Sequence, residues 1–461
     1  MYEPPHPRPL PPILSLARVM LQGDGDLLSL LPASAYRVDA GWLGYSRRSI
    51  LIVNAPELTA RIMSDEGDLF PKNDLMVGAV EPLIGDSIFV SSGDTWRRQR
   101  RMIDPAFSHI HLARAFNFMA AAVEDYEAVL DRRATSGESF SLDLAMSELT
   151  ADVITRTVFS TALASSTARD VFESFAIFEK SLAHIELARL IFGKPFEAVP
   201  QRQEVLDACR TIRRHLGELV DTHLGPSAMP YHDIASSVIG ARDTDTGKPL
   251  SREEVIDQLG VFFLAGHETT ASVLTWAFYI LATVPEVRER MRREVDAVAG
   301  EGPITIEHTK RMTYIRNVFR ETLRLYPPIT FLPRVTRHAT TLGRFRLRRG
   351  AMIMVSPWVI HRHHAHWRNP HAFDPDRFLP ERETDLKPGT YMPFGQGPRI
   401  CVGAAFATTE SILILARLVR RFDFEIEQPD RVRPVAHLTT SPAEEIKCLV
   451  RPTRRSLARA S

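Results

Sequence analysis

One cysteine of this chain stands in a setting that is typical of a metal ligand. Cys401 lies in the stretch PFGQGPRICVG, two residues after Arg399 and two before Gly403. The amphipathic stretch that follows predicts a helix, and the unpaired amides at the start of that helix would stabilise a thiolate. Zinc is disfavoured, because Cys209 and Cys448 are not at ligand spacing and the chain has no CxxC. On these grounds, a single thiolate on iron in a planar cofactor fits best.

A second polar run, AGHETT at residues 265–270, interrupts a long apolar stretch. Gly266 is unfavourable inside a helix by about 1 kcal/mol relative to alanine, and the hydroxyl of Thr269 could donate to the carbonyl of Ala265. Small residues beside a hydroxyl and a carboxylate predict a recess for a diatomic ligand and water. From this run alone, a polar patch in a buried helix or a helix-packing glycine is an equal alternative. The HExxH pattern of zinc proteases is absent, because Ala271 replaces its second histidine.

Helices must position both runs. The segment from Ser251 to Pro285 begins with the spacing of a capping box (Ser251 and Glu254), is apolar on nearly all sides, and predicts a buried central helix. A second helix, TKRMTYIRNVFRETLRLYPP, ends at a proline pair, whereas short segments such as GRFRLRRGAMIMVSP predict strands with a turn at Gly350. The predicted fold class is mainly α with small β-sheets.

Composition limits the class of protein. The chain has 461 residues, 44% of them hydrophobic and 25% charged, without repeats or Gly/Ser linkers, which is typical of a soluble globular protein. We expect a single domain over residues 1–461, with loose order at about 1–15 and 453–461. A net charge of +1 provides no global basic field for nucleic acid.

Cysteine usage and the amino terminus bear on localisation. Three scattered cysteines predict a reducing compartment. The start of the chain has neither a signal peptide nor the roughly 20 apolar residues of a transmembrane anchor. We therefore expect a cytoplasmic protein, and a monomer.

The stretch FGQGPRICVG resembles the heme-thiolate loop of the cytochrome P450 family, FxxGxRxCxG, at every fixed position. Three further motifs follow in the order of that family, so the resemblance extends over residues 90–445. It implies the P450 fold, a single triangular prism-like domain whose long central helix lies over heme b, iron protoporphyrin IX. It also implies that Cys401 is the axial iron ligand, that Phe394 packs beneath the heme and that Arg399 reaches a propionate. Gly403 would let the backbone approach the cofactor closely.

By the same resemblance, AGHETT corresponds to the oxygen-activation motif of the family. Thr269 would then hydrogen-bond the bound dioxygen, and Glu268 would help to deliver protons. His267 occupies the variable position of that motif and receives no role.

The motif ETLR resembles the ExxR element of the family. ExxR alone is weak, since this chain also has it at Glu186–Arg189 and Glu289–Arg292. Only ETLR lies between the oxygen motif and the cysteine loop and is followed by an arginine in FDPDRF. The resemblance therefore implies a structural network of three residues: Glu321, Arg324 and Arg377.

Further cations are expected at the heme carboxylates. Trp96 and Arg100 in GDTWRRQRR lie four residues apart on one helix face, and the resemblance places both, together with Arg334 in FLPRVTR, at the propionates. A solvated surface charge is the alternative for each arginine. For the histidines at 361, 363, 364 and 366, a structural or surface role is favoured over a metal site.

The resemblance implies a monooxygenase that inserts one atom of dioxygen into a small apolar organic substrate with two electrons. A peroxide-driven peroxygenase or isomerase and a non-catalytic heme-thiolate sensor are the alternatives, and both have less need of Glu268 and Thr269. No fused reductase is expected, so electrons would come from a ferredoxin or flavodoxin with its reductase. This donor would be attracted by Arg399 and the arginines of ARLVRRF. By family position, the substrate pocket is expected to include Phe262, Ala265, Ile329, Phe331 and Leu438.

Overall fold

The computed structural model of the chain describes residues 2–11, 14–15, 18, 26–43, 50–64, 69–163, 165–182, 200–225, 233–437 and 439–453. The helices in these ranges are α1 Pro56–Met63, α2 Asp74–Ile84, α3 Gly93–Ile103, α4 His109–Ser136, α5 Leu142–Phe159, α6 Ser166–Leu182, α7 Gln203–Leu224, α8 Ile234–Gly240, α9 Arg252–Thr283, α10 Pro285–Ala299, α11 Ile306–Arg311, α12 Thr313–Leu325, α13 Pro357–Ile360, α14 Pro380–Glu383 and α15 Ala404–Arg421.

The strands are short. They are β1 Ala40–Leu43, β2 Ile50–Val53, β3 Phe140–Ser141, β4 Leu332–Val335, β5 Thr340–Leu342, β6 Phe345–Leu347, β7 Met352–Val355, β8 Phe422–Ile426, β9 Pro434–Ala436, β10 Thr440–Pro442 and β11 Lys447–Pro452. The largest sheet has the order β1-β2-β7-β4, in which β2 and β7 run parallel. Gly350 has φ +77°, as the predicted turn between β6 and β7 requires. The prediction of a mainly α fold with small sheets is confirmed.

The central helix is α9, and its predicted start is confirmed. The Ser251 hydroxyl accepts from the Glu254 amide at 3.2 Å, and the Glu254 carboxylate accepts from the Ser251 amide at 2.7 Å. This pair of bonds satisfies backbone donors that the first turn leaves unpaired. Most of α9 is buried, and it packs against α5 and α7. Pro285 begins α10, which is bent by 107° from α9.

Within the described ranges, no single helix has the length and hydropathy of a membrane span. The bent pair α9 and α10 satisfies those limits only when both helices are taken together.

Both ends of the described chain contact the body of the protein. The Phe373 amide donates to the Tyr2 carbonyl at 2.9 Å, and the Tyr326 hydroxyl donates to the Pro5 carbonyl at 2.6 Å. At the other end, the Thr453 amide donates to the Arg421 carbonyl at 2.8 Å. Part of the segment for which the sequence predicts loose order thus makes specific contacts, and residues 454–461 lie outside the described residues.

Candidate active site

The loop before α15 presents Cys401 in a fixed backbone conformation. The Cys401 amide donates to the Phe394 carbonyl at 2.9 Å, which closes the loop. Gly397 has φ +75°, and a Cβ there would lie 2.4 Å from the Met63 carbonyl oxygen, so this position requires glycine. The loop leads directly into α15, the helix predicted after Cys401.

Cys401 faces a recess, because solvent reaches its side chain although protein atoms surround it. This burial raises the pKa of the Cys401 thiol, while a hydrogen bond from Gly403 and the positive charge of Arg100 act in the opposite direction. In the protein without a bound metal, burial therefore affects the pKa of the Cys401 thiol more than the predicted stabilisation of the thiolate by the start of α15 does. Binding of a metal would remove the thiol proton.

Three of the predicted cofactor residues meet beside this loop. Trp96 is buried, and the Arg399 guanidinium lies over its ring at 4.3 Å from the centroid. Arg399 also donates to the Ser91 carbonyl at 3.0 Å. Arg100 donates to the Ile400 carbonyl at 2.7 Å and pairs with Asp104 at 2.6 Å. Arg100 therefore binds the backbone next to Cys401.

Arg334 belongs to a cluster of buried and half-buried cations that also contains a residue missed by the sequence analysis. Arg334, on β4, is 5% exposed. Lys72 forms an isolated β-bridge with Arg334, and its ammonium lies 4.5 Å from the centre of the Phe89 ring. Burial lowers the pKa of Lys72 well below its usual range, and the positive charges of Arg399 and Arg334 lower it further.

This electrostatic arrangement fits the cofactor that the loop implies. Like charges that are gathered in a low-dielectric site repel one another and require an anion to offset them. Lys72, Arg334 and Arg399 form such a group, and the two carboxylates of heme b would bring negative charge to it. The only sequence signal for Lys72 was a lysine in FPKND, just before α2, and nothing in its spacing pointed to the arginines.

The centre of α9 opens a second recess. Ala265 is exposed although Leu264 and His267 beside it are buried. The Thr269 hydroxyl donates to the Ala265 carbonyl at 2.6 Å, which confirms the predicted bond within the helix. Gly266 does not share this recess: a Cβ there would lie 2.5 Å from Ile154 Cδ1 of α5. Gly266 is thus a helix-packing glycine, and its predicted part in the recess was wrong.

The two residues between Gly266 and Thr269 have different surroundings. The Glu268 carboxylate accepts from the Thr439 hydroxyl at 2.6 Å. His267 shares a hydrogen bond of 2.7 Å with the Ser147 hydroxyl and packs against the ring of Phe263. Burial lowers the pKa of His267 to about 4, so this histidine is a neutral core residue at pH 7.

The predicted three-residue network is present and buried. Arg324 binds both carboxylate oxygens of Glu321 at 2.7 and 2.8 Å, and Arg377 binds the same carboxylate at 3.2 Å. The two arginines also donate to main-chain carbonyls of residues 361–372. Since this segment precedes the cysteine loop along the chain, the network holds the backbone that leads into the loop.

The histidine cluster near the network contributes a structural contact. His361 accepts from the Met392 amide at 2.9 Å, and burial lowers its pKa to about 3. Its neutral ring therefore fastens the start of the cysteine loop. No group of His, Cys, Asp or Glu in the described part of the chain could hold a metal ion on its own.

The predicted pocket residues differ in their burial. Phe262 is buried and makes an edge contact with Phe107, with ring centroids 5.1 Å apart. Phe331 is buried and Ile329 is half-buried, both just before β4. Leu438 lies outside the described residues.

Comparison with known proteins agrees with this arrangement. Residues 7–450 match the family described as Cytochrome P450. Cyclooctatin synthase from Streptomyces melanosporofaciens is 30% identical over 446 residues, which are 96% of this chain and 93% of that protein. Cyclooctat-9-en-7-ol 5-monooxygenase from the same organism is 31% identical over 433 residues, or 93% and 89% of the two chains.

Solved structures show the same fold. The crystal structure of the cytochrome P450DA heme domain is similar with a TM-score of 0.78 at 24% identity, over 90% of both chains. A second cytochrome P450 crystal structure has a TM-score of 0.77 at 23% identity and covers 98% of this chain and 100% of its own. The chain belongs to the cytochrome P450 family and is a heme-dependent monooxygenase.

Proposed function

We propose that this monooxygenase inserts one atom of dioxygen into an apolar organic substrate and releases the other atom as water, with two electrons from a separate protein. The observation that carries the proposal is the cysteine loop. It presents one accessible sulfur just before α15, near a group of buried and half-buried cations suited to a dianionic cofactor.

Each residue near the loop then has a role in holding the heme. Cys401 would be the thiolate ligand, and Phe394 and Gly403 would shape the backbone that faces the cofactor. Lys72, Arg334 and Arg399 would bind the two carboxylates, and Trp96 packs against the Arg399 guanidinium. Arg100 acts through the Ile400 carbonyl. Bound heme supplies the iron at which dioxygen is activated.

The polar residues of α9 handle the two protons that the reaction consumes. Converting a substrate C–H group and dioxygen to an alcohol and water requires two electrons and two protons. The Glu268 carboxylate can take a proton from water and release it again. The Thr269 hydroxyl, which donates to the Ala265 carbonyl, can accept a hydrogen bond from water and so hold the proton donor in place.

The electron donor is proposed to be a ferredoxin or flavodoxin with its reductase. Two of the three arginines of ARLVRRF contribute little to the expected attraction, because acidic residues of α4 neutralise them. Arg417 pairs with Glu127 at 2.7 Å, and Arg421 pairs with Glu127 and Asp131 at 2.7 and 2.8 Å. The exposed side chain of Ile400, next to Cys401, marks the surface that a donor would reach instead.

An apolar substrate is supported by the pocket and by a relative. Phe262, Phe331 and Ile329, three residues predicted for the pocket, are all apolar, and Phe262 lies on α9 three residues before the exposed Ala265. One relative is named for an unsaturated alcohol, cyclooctat-9-en-7-ol. We propose an apolar, unsaturated alcohol of that kind as the first class of compound to test.

Isotope labelling tests the proposed reaction. Compounds are first screened for the spectral change that follows displacement of water from the heme iron. A binding compound is then incubated with the enzyme, a ferredoxin, its reductase and isotopically labelled dioxygen, and the product should carry one labelled oxygen atom. If product formed only with hydrogen peroxide, the proposal would be wrong and the protein would be a peroxygenase.

A further inference from the structure

The turn between β9 and β10 is fastened to the central helix through three side chains of α9. The Thr439 hydroxyl donates to Glu268 Oε1 at 2.6 Å. The Thr440 carbonyl accepts from the Ser272 hydroxyl at 2.6 Å and from the Trp276 ring N–H at 3.3 Å. Residues 268, 272 and 276 are four apart, so these side chains lie on one face of the helix.

The same turn is also attached to the segment just before β4, which contains the predicted pocket residues Ile329 and Phe331. The Thr440 amide donates to the Pro328 carbonyl at 2.9 Å, and its hydroxyl donates to the Pro327 carbonyl at 2.6 Å. Thr439 and Thr440 are 5% and 0% exposed. The backbone at Thr439 is therefore held by hydrogen bonds of its neighbour Thr440, none of which involves Glu268.

A fixed donor of this kind restricts a flexible acid. A glutamate side chain has several rotatable bonds, and ordering it has an entropic cost unless a partner holds it. A hydroxyl that donates to a carboxylate also favours the ionised form, which is the form able to accept a proton from solvent. Glu268 is half-buried, so water can still reach it.

We propose that Thr439 is the positioning residue of Glu268 and fixes the carboxylate that relays protons. The proposal rests on the monooxygenase function given above. Thr439 itself gains and loses no proton. Glu268 takes a proton from solvent, passes it on toward Thr269 and returns to the carboxylate.

Three variants test this assignment. Thr439→Val keeps the branched shape but removes the donor, and Thr439→Ser keeps the donor. We expect Thr439→Val to lower product formed per electron pair by about tenfold, as loss of an orienting partner can do, with heme content unchanged. Thr439→Ser should stay within about twofold of the wild type. In a Glu268→Gln background, Thr439→Val should cause no further loss.

Thermal unfolding supplies a readout that does not depend on turnover. Glu268→Met serves for this readout, because glutamine would keep an oxygen able to accept from Thr439. If the hydroxyl and carboxylate contact each other, the fall in Tm of the Thr439→Val/Glu268→Met double variant should be smaller than the sum of the two single effects. Additive falls in Tm, full coupling in Thr439→Val, or an equal loss in both backgrounds would overturn the proposal. Failure of the wild type to incorporate labelled dioxygen would instead overturn the proposed function, whatever the Tm values.

Discussion

On the cysteine side of the site, a buried ion network holds residues 361–372, which lead into the cysteine loop, and a main-chain hydrogen bond closes that loop. At the centre of α9, by contrast, hydroxyl groups hold the polar side chains. Arg324, which is fully buried, donates five hydrogen bonds, two to the Glu321 carboxylate and three to main-chain carbonyls. The Thr269 hydroxyl, by contrast, donates to the carbonyl of Ala265, which is an exposed residue of the same helix.

The difference follows from what each region must do. A thiolate ligand needs one geometry. A glycine with positive φ, a neutral histidine and buried arginines therefore restrict the conformation of the cysteine loop and of the segment before it. Proton transfer needs groups that exchange partners with water, and a hydroxyl bonded to a helix carbonyl can do so at little cost. Substitutions on the cysteine side should therefore affect folding or the bound cofactor, and those of Glu268 and Thr269 should mainly affect the fate of the electrons.

The largest effect is expected for Arg324→Ala. It leaves the Glu321 carboxylate buried without its main partner, which should reduce the free energy of unfolding by about 3–5 kcal/mol. The variant should not accumulate as folded holoprotein, as judged by soluble yield and heme absorbance. Lys310→Ala is the matched control, because Glu307–Lys310 has the same spacing but is exposed and should contribute at most about 0.5 kcal/mol. A folded, fully loaded Arg324→Ala that only turns over slowly would show that Arg324 is not structural.

Cys401→Ser should leave folding nearly intact but change the electronic environment of the iron. The reduced, carbon-monoxide-bound wild type should have the red-shifted Soret band of thiolate ligation, since sulfur donates charge to iron. The variant should lose that band. Cys209→Ser and Cys448→Ser change buried cysteines elsewhere and should keep it, and an unshifted band in the intact wild type would rule out Cys401 as the ligand.

Lys72→Met should have opposite effects with and without heme. Without heme, the variant removes a charge that burial, Arg399 and Arg334 all disfavour, so the Tm of the heme-free protein should rise. With heme, a charged hydrogen bond of about 1.5–3 kcal/mol would be lost. Transfer of heme to apomyoglobin should then be faster by about tenfold or more. Lys387→Met, which removes an exposed lysine paired with Glu57, should change neither quantity.

Local spacing made some of this arrangement predictable. The capping box of α9, the bond from Thr269 to Ala265 and the Glu321–Arg324 pair all join residues three or four apart, so helical geometry alone brings them together. The order of the motifs then identified the cysteine loop.

Partners distant along the chain could not be predicted in the same way. Gly266 faces α5 because Ile154 lies there, and Arg417 is neutralised because α4 brings Glu127 beside it. Lys72 and Thr439 likewise acquire their importance from Arg334 and Glu268, which are far from them in sequence. No periodicity or spacing encodes such contacts, so they required the fold.

The smallest structural change, Thr269→Ala, gives the sharpest test of the comparison between the two regions. It removes a hydroxyl from α9, so Tm, heme content and the carbon-monoxide spectrum should stay close to those of the wild type. Electrons should still be consumed in the presence of the donor proteins, but less product and more hydrogen peroxide should form per electron pair. The reason is that the water molecule that donates the proton loses its hydrogen-bond acceptor, the Thr269 hydroxyl.

Thr275→Ala is the matched control, because the Thr275 hydroxyl makes the same kind of bond, to the Ala271 carbonyl at 2.9 Å, but lies buried away from the exposed Ala265. It should keep the coupling of electrons to product. Added hydrogen peroxide should partly restore product formation by Thr269→Ala, because peroxide brings an O–O bond that is already protonated. If Thr269→Ala stays fully coupled, or if Thr275→Ala uncouples equally, then α9 contributes shape and no proton transfer, and the contrast between the two regions would reduce to a difference in stability.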